Sequence, residues 1–291
     1  MHHVKVYQFG PVEAFELGFA LVGRPLITVY VYRVGNLLID SGPRHLSRIV
    51  DRLAAQKALA AILLTHHHED HSGNAGVLGR RHKVPIYAHP QAEHKLKDSF
   101  PILPYQHYLS GKAAKADITP YPESIVANSL RIRPIHTPGH SKDHTVFLEE
   151  HNGWLFSGDL FLNDRIHFFR SDEQIGQQIA SLKKALGYDF DALFCGHRPH
   201  PEKGRRHLAN KLDFLISFQD RVSRFLDLGL EEKEIIRRMQ TRSDLKLRWF
   251  TFGNASFAHL VRSCIREAQW QVSGFGVQGS GDKLPPERGE P

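Results

Sequence analysis

Through the first two-thirds of the chain, short apolar runs alternate with stretches where apolar residues return every three or four positions. Val29-Tyr30-Val31-Tyr32-Arg33-Val34 and Asn36-Leu37-Leu38-Ile39-Asp40 read as paired strands with Gly35 at the turn. A helix is expected over 44–56, followed by the apolar run Ala61-Ile62-Leu63-Leu64-Thr65 as a buried strand. The pattern then predicts a helix over 73–82 and a strand at Pro85-Ile86-Tyr87-Ala88. Strands return at 130–135, 145–148 and 154–156, a helix at 172–186, and a last strand at Ala192-Leu193-Phe194. Strands and helices interleaved in this way predict an α/β fold.

One segment breaks the rhythm. Residues 93–123 carry Pro101, Pro104, Gly111, Pro120 and Pro122 among lysines and aromatics, which predicts an irregular excursion of the kind that forms lids and binding loops. From Gly204 onward helical spacing takes over, through Leu212, Leu215, Ile216, Val222, Phe225 and Leu226, with further helices expected over 231–240 and 256–268. The division that follows is 1–203 as a first domain, 204–272 as a helical C-terminal domain, and 273–291, rich in Gly and Pro, as a disordered tail.

Composition narrows the setting. Hydrophobic residues make up 41% and charged residues 24%, a soluble globular balance, and no apolar run approaches the ~20 residues that cross a bilayer. The start of the chain lacks a secretory pattern, and two cysteines, Cys195 and Cys264, cannot build a disulfide framework, so the expectation is a cytoplasmic protein with no membrane partner. The formal charge is +7, and between 201 and 270 there are 14 Lys and Arg against 9 Asp and Glu. The acids are interleaved throughout, which reads as a mixed-charge helical surface; the surplus suits a small anionic substrate and leaves nucleic acid as a less favoured partner. Oligomeric state has no signature here.

Chemistry concentrates in Thr65-His66-His67-His68-Glu69-Asp70-His71, a loop that follows an apolar strand and turns into a helix. Several imidazoles and a carboxylate packed into one loop are hard to explain by stability, and they suit Zn²⁺, Mn²⁺ or Fe²⁺. Alternate side chains of an extended segment share a face, so His66 and His68 are expected to point together, with His67 and Glu69 turned away. Of the 20 histidines most are ordinary surface residues; His89, His94, His107 and His136 are given no role.

The run resembles the His-x-His-x-Asp-His signature of the metallo-β-lactamase superfamily. Three later segments add to the resemblance: His140 in Thr137-Pro138-Gly139-His140-Ser141, Asp159 in Phe156-Ser157-Gly158-Asp159, and His197 in Cys195-Gly196-His197-Arg198-Pro199. The resemblance covers roughly residues 1–200 and implies a four-layer αββα sandwich with a C-terminal helical appendage. It also implies two divalent ions, zinc foremost with manganese or iron as alternatives. His66, His68 and His140 would hold one, and Asp70, His71 and His197 the other. Asp159 and a water or hydroxide would bridge them, with Asp70 also steering the hydroxide. Asp40 and His144 are candidate partners that orient ligand imidazoles.

The fold does not name the substrate. Asp159 at the bridging position and the lack of a cysteine ligand set a true β-lactamase aside. Two enzymatic readings stay open: a glyoxalase II-like (hydroxyacylglutathione hydrolase-like) enzyme acting on a thioester or ester, and a phosphodiesterase or endoribonuclease. A catalytically silent metal-binding scaffold is the reading from another class.

Overall fold

The computed structural model describes residues 1–98, 100–128 and 130–272. The tail expected to be disordered, 273–291, lies outside the described residues. Seven strands form the first sheet in chain order: β1 (His2–Phe9), β2 (Val12–Phe19), β3 (Val29–Val34), β4 (Leu37–Ile39), β5 (Ala61–Leu63), β6 (Ile86–Ala88) and β7 (Thr119–Pro120). The second sheet contains β8 (Ile125–Ala127), β9 (Leu130–His136), β10 (Thr145–Glu149) and β11 (Trp154–Gly158). A short β12 (Phe169–Arg170) lies outside it, and β13 (Ala192–Cys195) completes it in the order β13-β11-β10-β9-β8.

Helices cover both outer faces. Between the strands of the first sheet run α1 (Ser47–Ala54), α2 (Glu69–Ser72), α3 (Ala75–His82), α4 (Glu93–Asp98) and α5 (Pro104–Leu109). The second half supplies α6 (Ile175–Leu186), α7 (Gly204–Asp227), α8 (Glu232–Met239), α9 (Arg242–Phe250) and α10 (Phe257–Val272), with β14 (Ala255–Ser256) pairing β12.

Three apolar clusters account for the layering. Val50, Ala54, Ala75 and Leu78 of α1 and α3 pack on Val31, Leu38 and Ile62 of the first sheet. Between the sheets, Val34, Ile39 and Leu63 meet Ile132, Phe147, Phe156 and Phe194. On the far side Val146, Leu155 and Leu193 pack against Ile179 and Leu182 of α6, Leu208 and Leu215 of α7, and Leu260 and Val261 of α10. The result is the four-layer αββα sandwich, with α7 and α10 sharing one core with α6 and β13. Non-directional burial of apolar area holds the layers together, and the strand-to-loop junctions supply the polar chemistry. Among the described residues no helix is long and apolar enough to cross a membrane.

Three elements differ from expectation. The β1–β2 hairpin gave no clear sequence signal because β1 is an edge strand, with Val6 exposed on one face. The 93–123 excursion contains two short helices, α4 and α5, rather than purely irregular chain. α9 has no apolar stripe; Trp249 stands exposed on it, and its start is set by a capping box from Thr241 and Asp244.

Buried Lys211 ties the layers to a loop that matters below. Its ammonium donates to the carbonyl of Leu160 at 2.6 Å, and burial lowers its pKa from 10.5 to about 8. A lysine with a depressed folded pKa takes up a proton on unfolding, so it adds stability as pH rises from about 8 to 10.5. In urea titrations, the stability of Lys211→Met relative to the parent chain should therefore fall by up to ~3 kcal/mol over that window. A difference independent of pH would contradict the assignment.

Candidate metal centre

Five strand ends bring the polar residues to one edge of the sandwich. β4 and β5 run parallel, and so do β11 and β13; β9 shares the direction of β11, since each is antiparallel to β10. Their C-terminal ends carry Asp40, the 66–71 segment, Asp159, His197 and His140. The last of these loops is tethered by α6. Gln174 N–H donates to the Gly139 carbonyl at 2.9 Å, and the Ser181 hydroxyl donates to that of Pro138 at 2.6 Å. Tyr32 hydroxyl bonds the Cys195 carbonyl at 2.5 Å, and Tyr30 N–H bonds that of Gly196 at 2.7 Å, which fixes the approach to His197.

The predicted residues meet in two adjoining groups, His66, His68, His140 and Asp159 in one, and Asp70, His71 and His197 in the other. His68 Nδ1 lies 2.8 Å from His66 Nε2 and 3.0 Å from His140 Nε2. Three ring nitrogens aimed at one point bring more lone pairs than protons, and nitrogens around a single tetrahedral zinc stand about 3.3 Å apart. In the second group, His71 Nε2 is 3.7 Å and His197 Nε2 is 3.6 Å from Asp70 Oδ2. Asp159 faces both: Oδ2 is 3.3 Å from His140 Nε2, while Oδ1 is 3.2 Å from His71 Nε2 and 3.5 Å from His197 Nε2. Asp159 Oδ1 and His71 Nε2 are buried without a hydrogen-bond partner, the state of donor atoms awaiting a cation. The donor set fits a divalent metal.

The ring orientations have identifiable causes. Asp40 accepts from the Thr65 hydroxyl, which leaves that oxygen as acceptor for His66 Nδ1–H at 3.0 Å. Asp40 Oδ2 also accepts His71 Nδ1–H at 2.7 Å, and the Thr28 carbonyl accepts His197 Nδ1–H at 2.7 Å. His140 Nδ1 stands 3.3 Å from Glu173 Oε2. The Thr65, Asp40 and Thr28 acceptors protonate the outer nitrogens of His66, His71 and His197 and so leave Nε2 bare toward the centre, while Glu173 faces His140 as a charge partner. His144 donates Nδ1–H to the Thr137 hydroxyl, and its Nε2 accepts the Asp159 backbone N–H at 3.1 Å.

Electrostatics favour a cation. Burial opposes charge on His71, yet Asp159, Asp70 and Asp40 raise its pKa well above the ordinary value. Burial likewise opposes charge on Asp159, but His71 and His197 hold it well below the carboxylate range. Burial keeps His66 and His68 neutral, the form that donates a lone pair, and pushes His144 down to about 3.

Two residues between the ligands, and several beyond them, do more than the sequence predicts. His67 does turn from the centre, but it is buried: Asp143 accepts both its backbone N–H and its Nδ1–H, and Lys95 Nζ lies 2.9 Å from Nε2. Glu69, expected to turn away, instead lines the cleft, because the chain becomes helical at this residue and strand alternation ends; Gln106 holds it at 2.9 Å, and burial with Asp70 nearby pushes it up to about 7. Arg170 and Glu173 also line the cleft, brought there by the chain between β11 and α6. Asp143 shares a loop with His140 and was within reach of sequence reasoning; Glu173 and the Thr28 carbonyl carried no signal.

A sequence model of the metallo-beta-lactamase superfamily matches residues 22–197. The chain belongs to this superfamily. Among individual proteins, it is 30% identical over 171 residues to beta-lactamase-like protein 2 homolog of Drosophila melanogaster, covering 56% of this chain and 54% of the relative. It is 34% identical over 145 residues to a hydroxyacylglutathione hydrolase of Halorhodospira halophila (strain DSM 244 / SL1), covering 49% and 48%. The chain thus spans about half the length of the curated relatives it matches. A metallo-beta-lactamase family protein from Thermus thermophilus shares the fold at a TM-score of 0.60 and 21% identity, covering 88% of this chain and 94% of that one.

Two substitutions test the geometry. Asp40→Ala leaves the outer nitrogens of His66 and His71 without their acceptor chain, and chelator competition should show metal affinity lowered about 10–100-fold. At Gly196 an added Cβ would sit 2.6 Å from His71 Cε1 and 2.7 Å from Asp159 Oδ1. Gly196→Val should therefore strip metal while the circular dichroism spectrum stays that of the parent. Full metal content in either variant would contradict the packing described.

Proposed function

We propose that the chain is a metal-dependent hydrolase with a two-ion centre, zinc foremost and manganese or iron as alternatives. In this reading His66, His68 and His140 hold one ion, Asp70, His71 and His197 hold the other, and Asp159 bridges. The observation that supports it is the split of the Asp159 carboxylate, one oxygen toward each histidine group. A divalent ion in such a centre lowers the pKa of bound water from about 15.7 towards 7 and polarises the oxygen of the bond to be cut. The protein's part is orientation: Thr65, Asp40, Thr28 and Glu173 set the rings, His144 pins the Asp159 backbone, and half-buried Asp70 orients the attacking water through its carboxylate. Residues 1–203 carry the donors, and the 204–272 unit closes the cleft through Leu247 and Thr251.

The substrate in this reading is a small thioester or ester, as the name of the Halorhodospira relative suggests. Against a phosphodiester stands the cleft's largely apolar lining, which among the described residues has no lysine and no guanidinium groups beyond Arg165 and Arg170. A polyanion calls for several cations. The convergence of seven donors weighs against a silent scaffold. Buried free thiols at Cys195 and Cys264 suit a reducing cytoplasm.

Zinc- or manganese-loaded protein should turn over S-lactoylglutathione or a nitrophenyl ester and leave bis-nitrophenyl phosphate intact; turnover of the phosphodiester alone would reverse the choice. Asp159→Ala should lose most bound metal and activity, and a variant keeping two metals per chain would refute the bridge.

A further inference from the structure

We infer that the acyl part of the substrate is an apolar chain of medium length seated among the cleft's apolar side chains, an inference that rests on the hydrolase reading above. The cleft encloses about 560 Å³, within the range of sites that bury most of a small ligand. Its floor is polar, built by His68, Asp70, His140, Asp159 and His197. Much of the remaining lining is apolar. Leu26 and Ile27 come from the β2–β3 connection, Leu162, Ile166 and Phe168 from the chain between β11 and α6, and Leu247 from α9.

Three segments distant in sequence thus present large apolar side chains to one space. The β2–β3 connection is the most telling. It spans residues 20–28, where two to five residues close a hairpin. Along it Leu21 and Leu26 are 66% exposed, Val22 86% and Ile27 48%. Such side chains contribute little to the fold's core where they stand, and a cluster of them beside a reactive centre marks a contact for something else. The same stretch that supplies Leu162, Ile166 and Phe168 also brings Arg165 and His167, with Arg170 just beyond, and these basic groups suit a carboxylate or phosphate on the carrier. The apolar side chains are left for the acyl part, and an aliphatic chain on an anionic carrier satisfies both.

The reaction balances with water alone. The water oxygen forms a bond to the acyl carbon and the carbon–sulfur or carbon–oxygen bond breaks. The chain departs as a carboxylate; one proton of the water goes to the leaving sulfur or oxygen and the other to solvent.

The test uses the full zinc-loaded chain and nitrophenyl esters from acetate to decanoate, each below its micellar threshold. Burial of each added methylene should raise kcat/KM about three- to fourfold through at least the hexanoate. In the double variant Leu26→Ser with Ile27→Ser, both exposed and safe for folding, the octanoate-to-acetate ratio should fall at least tenfold. Calorimetry gives a readout without turnover: octanoate should bind at least tenfold more tightly than acetate, and the double variant should lose that difference. A flat or falling series with turnover intact would overturn this inference and leave the hydrolase reading standing. Absence of turnover on every ester and thioester would overturn both.

Discussion

Asp40 stands at φ 61°, in the left-handed region, immediately after β4. That backbone conformation is strained by roughly 1–3 kcal/mol in a residue other than glycine, though aspartate tolerates it better than most. Its carboxylate accepts the Thr65 backbone N–H at 2.8 Å, the Thr65 hydroxyl, and His71 Nδ1–H. Hydrogen bonds to a charged group contribute about 1.5–3 kcal/mol each, so the three together outweigh the strain. The same bend that carries the cost turns the carboxylate across the end of β5, where it reaches one histidine of each group, His66 through Thr65 and His71 directly. Without that carboxylate the two rings would be free to choose either tautomer, and the donor atoms would no longer agree on where a cation belongs.

Close approach serves the same end elsewhere. Gly158 has φ +45°, and a Cβ there would sit 2.7 Å from Thr65 Cβ and 2.9 Å from His144 Nε2. The two sheets can bring β5 and β11 ends together only because that position has no side chain. Asp159 follows at once, buried and aimed inward, while Lys211 holds the next carbonyl from behind.

What the sequence made legible follows from how each feature is written in it. The 66–71 segment shows itself because its ligand residues lie within one short loop, and His140, Asp159 and His197 show themselves because each follows an apolar run. The helices are legible because their burial is periodic, and most strands because they are short runs buried on both faces. Features built by tertiary proximity are not. Glu173 reaches His140 across three intervening strands, β10 to β12, and the Thr28 carbonyl is a backbone atom that any residue would supply. α9 is held by a capping box and by contacts such as Phe250 with the Tyr105 ring, centroids 6.0 Å apart, rather than by an apolar stripe. The positive surplus says nothing of the many apolar side chains that line the cleft beside Arg165 and Arg170, because net charge reports the outside of a molecule and not the lining of a recess within it.

The acceptor for His197 belongs to residue 28, the last position of the same connection whose tip shows Leu26 and Ile27 to the cleft. One peptide link separates the part that would feel an occupant from the part that sets the tilt of an imidazole. Occupancy of the recess and the tilt of the His197 ring therefore share one stretch of backbone, anchored where β3 begins.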